Sequence, residues 1–212
     1  VVLDDASTDG TTALLKEIAA EDSRVVAVHG GEEPPEGWYG KPWALERAQR
    51  EATGEWLVFV DADVRLHPGA VSRIVGYGIR ENVGMVSGIG RLVLQSFWEK
   101  VLQPAVAGLI LAGNDLDEVN DPDKPERIMA NGQLIAVRRD AYEALGRHDI
   151  VKGAVIEDVA IAKAATEAAV GYRFLLLREL FDCRMYTSFS EIWQGWSKNL
   201  FAGMHYSWGI LI

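Results

Sequence analysis

Cysteine is nearly absent from this 212-residue chain: Cys183 stands alone. An internal disulfide and a multi-cysteine zinc site are therefore both excluded, and a reducing compartment suits the composition. The ordinary role of such a residue is that of a small buried side chain. Positive charge is scarce as well, with 21 Lys and Arg against 31 Asp and Glu and a formal charge of −10. That balance argues against nucleic acid as a partner, because phosphate attraction needs a basic surface. A polyanionic ligand would need local positive charge or a metal. Long apolar runs are missing too, and no stretch reaches the roughly 20 apolar residues that span a bilayer. There are no internal repeats and no low-complexity segments. The chain opens at Val1-Val2-Leu3 without an initiator methionine, which reads as a fragment starting inside a strand, and it stops in the apolar run Trp208 to Ile212. We expect one α/β domain over residues 1–199 and, over 200–212, the start of an apolar, membrane-associated segment.

What is present is organised around Trp56-Leu57-Val58-Phe59-Val60-Asp61-Ala62-Asp63-Val64. The apolar, β-branched and aromatic run after Thr53-Gly54 reads as a strand buried on both faces. It ends in acid. If the chain stays extended, Asp61 and Asp63 project to the same side and can share one hard cation at the carboxyl edge of a sheet. Taken alone, an acid-x-acid pair at a strand end is more often a pair of solvated turn carboxylates.

Other segments supply company for that pair. Val1 to Leu3 reads as a strand end, then Asp4-Asp5-Ala6-Ser7-Thr8-Asp9-Gly10 as a turn, then an amphipathic helix from Ala13, which is the first half of a βαβ unit. Ser7, Thr8 and Asp9 are expected to cap that helix. Asp4 or Asp5 at the strand end can accept hydrogen bonds from a nucleobase or ribose. Arg24 to His29 reads as a second strand, followed by an irregular Gly- and Pro-rich stretch. Lys41, between Gly40 and Pro42 with aromatics on both sides, fits a phosphate contact at a helix entrance. The competing explanation is a surface lysine in a packed aromatic turn.

Farther on, Pro68-Gly69-Ala70 opens a helix and Val83 to Gly88 is a strand. Leu92 to Gly113 carries an apolar stripe at helical spacing, with Glu99 and Lys100 opposite and Pro104 expected to kink it. Its first reading is core, and its second a membrane interface with Trp98 at headgroup depth. Asn114 to Arg127, rich in Asp and Glu and containing Pro122 and Pro125, reads as a mobile surface loop. Ile128 to Val137 returns to a strand in which Gly132 allows close backbone approach. Glu157-Asp158 opens the next helix; the dipole explains one acid there, and two together suggest a carboxylate aimed into a cleft as a general base. A last strand, Tyr172 to Leu177, precedes a helix over Glu191 to Asn199 with Trp193, Gln194, Trp196 and Lys198.

The ordered series Asp4-Asp5-Ala6-Ser7-Thr8-Asp9-Gly10-Thr11, Gly40-Lys41-Pro42-Trp43-Ala44, Asp61-Ala62-Asp63, Glu157-Asp158 and Gln194-Gly195-Trp196-Ser197-Lys198-Asn199 resembles the family-2 glycosyltransferases of the GT-A fold. Within them it is similar to the membrane-associated hopanoid-associated, carotenoid and ceramide-type lipid glycosyltransferases, on Gly37-Trp38-Tyr39-Gly40-Lys41 and the late Trp196-bearing segment. The resemblance implies a Rossmann-like, mostly parallel central sheet flanked by helices and lacking its first strand. It implies an inverting transfer of sugar from a nucleotide-diphosphate sugar, a UDP-sugar foremost, to a hydroxyl or carboxyl acceptor on a lipid, at the cytoplasmic face of a membrane. Asp4 and Asp5 would then contact base and ribose, and Asp61 with Asp63 would hold the ribose and a Mg²⁺ or Mn²⁺. Asp158 would be the base, supported by Glu157. Lys41, Lys198 and Trp196 would serve the donor. Many processive relatives carry Gln-x-x-Arg-Trp where this chain has Gln194-Gly195-Trp196-Ser197-Lys198, which disfavours a polysaccharide synthase. Two other functions compete. A sugar-phosphate nucleotidyltransferase would release inorganic pyrophosphate and normally carries a glycine-rich basic loop that is not visible here. A non-catalytic sugar- or lipid-binding domain would survive loss of Asp158.

Overall fold

In the computed structural model, which describes residues 1–203, strands and helices alternate from the start. β1 (Val2–Asp4), α1 (Thr11–Glu21) and β2 (Ala27–His29) form a parallel βαβ unit with Asp4 opposite His29. The second strand is shorter than the sequence suggests. Gly10 takes φ 90° to enter α1, a left-handed conformation that glycine adopts without strain. No side chain caps α1 directly. The turn is ordered by Asp9, which accepts from Thr11, and by Asp4, which accepts from the Ser7 N–H and the Thr12 hydroxyl. The expected caps Ser7 and Thr8 are thus replaced by carboxylates, which accept more strongly.

The central sheet is four-stranded, in the order β3 (Trp56–Val60), β7 (Leu134–Arg138), β5 (Met85–Ile89), β8 (Tyr172–Leu176). Three of its strands, β3, β5 and β8, run the same way, as expected of a mostly parallel sheet, and β7 alone is reversed, antiparallel to both β3 and β5. The reason is where the chain returns. β7 enters between two strands already laid down, starting at the edge where β3 ends, with Leu134 opposite Val60. Side chains alternate across this sheet. Leu57, Met85, Ile135, Val137 and Phe174 pack on one face with α7 (Glu157–Glu167), and Val86, Leu134 and Ala136 on the other with α3 (Ala70–Arg80). β3 is less enclosed than a strand buried on both faces. Only Leu57 in it is fully buried, because β3 lies at the edge of the sheet.

The strand also ends sooner than expected. Val60 is its last residue, and Asp61 to Asp63 form a turn closed by the Val64 N–H on the Asp61 carbonyl at 3.2 Å. From there β4 (Val64–Leu66) leaves for a separate three-stranded sheet, ordered β4, β9 (Phe181–Cys183), β6 (Arg91–Leu92). Cys183 is buried in it, as composition suggests.

α4 (Phe97–Ala112) reverses the expected faces. Glu99 and Gln103 are its buried residues, while Phe97, Trp98, Val101 and Leu109 are exposed, so the stripe is not core. The cause is polar. Ser96 and Glu99 form a capping box. Glu99 also takes Arg184 at 3.1 Å, and Gln103 donates to the Met185 carbonyl at 2.9 Å. α8 (Phe189–Gly203) is bound across α4 by the Trp196 indole N–H, which donates to the Gln103 side-chain Oε1 at 2.9 Å. No helix among the described residues is long and apolar enough to cross a membrane. The run Trp208 to Ile212 lies outside the described residues.

The acidic stretch 114–127 is anchored rather than loose. It holds α5 (Leu116–Val119) with Val119 buried, and Asn120 pairs with the backbone of β8, accepting from the Phe174 N–H at 2.7 Å and donating to its carbonyl at 3.0 Å. Asn120→Ala strands both groups of a buried residue. We expect a loss of about 2 kcal/mol of stability, read by urea denaturation with an unchanged slope.

Candidate active site

Antiparallel entry of β7 determines where the site forms. Because Leu134 lies opposite Val60, the segment before β7 runs beside the residues after β3, and the Asp61 N–H donates to the Gln133 carbonyl at 3.2 Å. Gly132 follows into the same place. Its N–H donates to Asp158 Oδ2 at 2.7 Å. A Cβ there would lie 2.8 Å from Lys41 Nζ, 3.4 Å from Asp158 Oδ2 and 3.5 Å from Glu157 Oε1. A side chain there would push Lys41 Nζ aside while meeting the two α7 carboxylates at about contact distance.

Three segments deliver those charges. Lys41 comes from the first turn of α2 (Gly40–Arg50), Asp61 from the end of β3, and Glu157 and Asp158 from the start of α7. Lys41 Nζ lies 2.9 Å from Asp61 Oδ1 and 2.9 Å from Glu157 Oε1. Burial works against the ammonium, but Glu157 and Asp61 hold it above its ordinary range. Asp61 is itself raised, since burial outweighs the lysine beside it. Asp158 is pushed up to about 6, first by burial and then by the Glu157 charge, against hydrogen bonds from the Val159 and Gly132 N–H groups. A carboxylate with that value exchanges protons near neutrality.

Asp63 is turned toward the second sheet, where burial and its charge push the Cys183 thiol up to about 12. A turn rather than an extended strand carries Asp61 and Asp63, and the two stay close enough that the Asp63 charge adds to the rise at Asp61. Among the described residues, no group of three or more His, Cys, Asp or Glu is assembled around a cation. Magnesium-type ions commonly take one or two carboxylates and complete their shell with substrate phosphates. Acidic oxygens fit such an ion, and the Lys41 ammonium already occupies a cationic position against Asp61.

The remaining candidates fall into two groups. Asp4 is buried with both oxygens engaged by its own turn, and Asp5 is exposed next to it. Lys198 is exposed on α8, and Trp193 on the same helix is 66% exposed. Trp196 is tied to Gln103 and meets the Tyr186 ring edge-on at 6.2 Å. Tyr186 is the residue that sequence reasoning missed. Its φ is 53°, its ring lies where a Cβ on Gly195 would fall, and its phenol is raised by burial and by Asp63 and Asp61, with Asn199 and Lys41 opposing. Nothing in the local pattern marks it. Gly195, opposite it on α8, is the only trace.

An α/β sheet with convergent carboxylates and a lysine at one edge is the architecture of a ligand-binding domain whose chemistry sits outside the strand ends. Residues 1–146 match the profile of glycosyl transferase family 2, and the chain belongs to that family. It is similar to 4,4'-diaponeurosporenoate glycosyltransferases of Staphylococcus aureus. That of strain bovine RF122 / ET3-1 is 25% identical over 211 residues, covering 96% of this chain and 53% of the relative. That of strain MRSA252 is 26% identical over 212 residues, covering 96% and 53%. The chain thus spans about half the length of the curated relatives it matches. Among solved structures, the mannosyltransferase PcManGT from Pyrobaculum calidifontis, in complex with GDP-Man and Mn²⁺, superposes with a TM-score of 0.62 at 23% identity, covering 93% of this chain and 50% of that one. Glucosyl-3-phosphoglycerate synthase from Mycobacterium tuberculosis, in complex with Mg²⁺ and UDP, gives 0.51 at 22% identity, covering 88% and 60%. The fold is GT-A.

The Asp158 shift has a consequence for stability. Its folded pKa of about 6 exceeds the reference value of 3.8, so the folded state holds the proton more tightly. The favourable contribution is full below the lower value and is lost as pH rises through the higher one. Relative to Asp158→Asn, the wild-type protein should lose stability between about pH 4 and pH 6 and run parallel above that window, measured by denaturant midpoints across pH.

Proposed function

We propose that this chain carries the catalytic domain of an inverting glycosyltransferase that moves a sugar from a nucleotide-diphosphate sugar to a hydroxyl or carboxyl group on a lipid. The observation that carries the reading is Asp158, held by Gly132, pushed up to about 6 and set beside the Lys41, Asp61 and Glu157 cluster. With a hydroxyl acceptor, a base in that position removes its proton as the oxygen attacks the anomeric carbon; a carboxylate acceptor is already ionised and attacks without a base. The nucleoside diphosphate departs from the opposite face, and the configuration inverts. Glu157 supports the base indirectly, by fixing Lys41.

Asp61 and Asp63 are the residues that would hold Mg²⁺ or Mn²⁺ together with the donor. A bound cation neutralises charge on the diphosphate leaving group. Asp5 is free to meet base or ribose, while Asp4 orders the turn that presents it. Lys41 and Lys198 add positive charge for the diphosphate, and Trp196 backs Tyr186 at the donor side. The relatives named for diaponeurosporenoate, and the structures holding GDP-Man with Mn²⁺ and UDP with Mg²⁺, support the donor, metal and lipid assignments. The lipid reading and membrane association, at the cytoplasmic face, also draw on the aromatic surface of α4 and α8. Phe97 packs on Trp98, Trp98 on Phe189 and Phe189 on Trp193, all exposed.

Asp158→Asn is expected to lower turnover by about 10²- to 10⁴-fold while donor affinity holds; unchanged turnover removes Asp158 as the base. For the metal, UDP-glucose titrated calorimetrically with Mn²⁺ and then with chelator should show metal-dependent affinity that Asp63→Ala largely abolishes. Equal affinity with and without metal in both proteins would overturn the assignment.

A further inference from the structure

The small sheet sorts its side chains by the two-residue period of a strand. Val64, Leu66, Phe181 and Cys183 face the core. Arg65, Asp182, Arg184 and Arg91 alternate with them, and Asp182 lies opposite Arg65 on one neighbouring strand and Arg91 on the other. A cavity of about 500 Å³ is lined by Asp63, Arg65, Arg91, Asp182 and Arg184 together with Leu92 and Val93. A polar outer face is ordinary for a sheet with one side in solvent. Three guanidinium groups converging on one cavity in a chain of formal charge −10 are not.

The acids in and around the cavity are already engaged. Asp182 takes Arg91 at 2.8 and 2.9 Å and His67 at 3.2 Å. Asp63 lies against Cys183, and Glu99 is filled by its capping box and Arg184. The arginines are not used up. Arg91 offers Nε and Nη2 to Asp182, Arg184 engages Glu99 through Nε, and Arg65 has no acidic partner among the described residues. The N–H groups left over form the planar forks that fit an oxyanion.

We propose that this cavity binds the anionic group of the acceptor, a carboxylate or phosphate on an apolar chain. Asp63 borders both the cavity and the candidate catalytic cluster, so an anion held here sets the adjoining acceptor atoms beside the donor. The Arg184 to Glu99 contact joins the cavity to α4, where exposed Phe97 and Trp98 begin the aromatic surface that accepts the apolar part. The identification of this anion as the acceptor's rests on the glycosyl-transfer reading.

The test is binding of decanoate, decyl phosphate and uncharged decanol below their micellar concentrations, followed by tryptophan fluorescence in wild type, Arg65→Gln and Arg65→Lys. Arg65 is exposed and breaks no ion pair when replaced, so the fold should survive. At least one anion should bind more tightly than decanol, weaken about tenfold in Arg65→Gln and recover partly in Arg65→Lys. The tighter anion identifies the source. Decanol binding as tightly as both anions, or indifference to Arg65→Gln, would overturn the proposal. UDP-glucose titrated into the same proteins separates the two readings: donor binding without anion binding refutes this site alone, and anion binding without donor binding refutes glycosyl transfer and leaves an anion site standing.

Discussion

One ammonium group holds the site together. Lys41 Nζ sits 2.9 Å from carboxylates of both Asp61 and Glu157, residues that are far apart in sequence and arrive on different elements. Without it, Asp61, Glu157 and Asp158 would crowd one partly desolvated space, where like charges raise each other's pKa and oppose folding. With it, one of the three remains poorly compensated. Asp158 is only weakly compensated by Lys41 and is left to burial and Glu157. The lysine therefore does two things by a single placement: it stabilises the cluster and leaves one carboxylate with a value suited to proton exchange.

That placement depends in turn on a strand running the opposite way to its neighbours. Had β7 been parallel to β3, its leading segment would have emerged at the far edge of the sheet, and no backbone N–H would face α7. Antiparallel pairing brings Gly132 to the end of β3. The absence of a side chain there leaves Lys41 Nζ its place beside both α7 acids. Fold and chemistry meet at this glycine, which has no chemistry of its own.

The sequence carried much of this in periodicity and punctuation. The acid pairs at element ends, the α/β alternation and the close backbone approach at Gly132 are all local features, and each corresponds to an element or contact in the structure, although the strand read from Ile128 begins only at Leu134. What was not local was not legible. Sheet direction depends on where a chain returns, so the antiparallel β7 left no mark in its own residues. The turn at Asp61 to Asp63 looked like continued strand because a two-residue period persists on both sides of it, in β3 and in β4. Asp4 as the partner of Thr12, and Tyr186 as a neighbour of Asp61 and Asp63, are contacts between segments whose proximity only folding creates.

α4 shows why an apolar stripe cannot be assigned a side by composition alone. Its pattern predicts that some face is apolar, but which face turns inward is decided by the best-satisfied contacts. Here those are polar: Glu99 with its own cap and Arg184, and Gln103 between Met185 and Trp196. A buried glutamate costs far more than a buried leucine gains unless such partners exist. Once they do, the helix is fixed with Phe97, Trp98, Val101 and Leu109 outward. Leaving a large apolar side chain in water rather than buried forgoes about 1.5–3 kcal/mol. Several in one patch, interleaved with Phe189 and Trp193, make a surface for which water is a poor partner and an apolar chain a good one. The arginines behind it, reached through Glu99, give the same surface a charged end. An amphiphile meets both demands together, which neither a soluble sugar nor a plain hydrocarbon does.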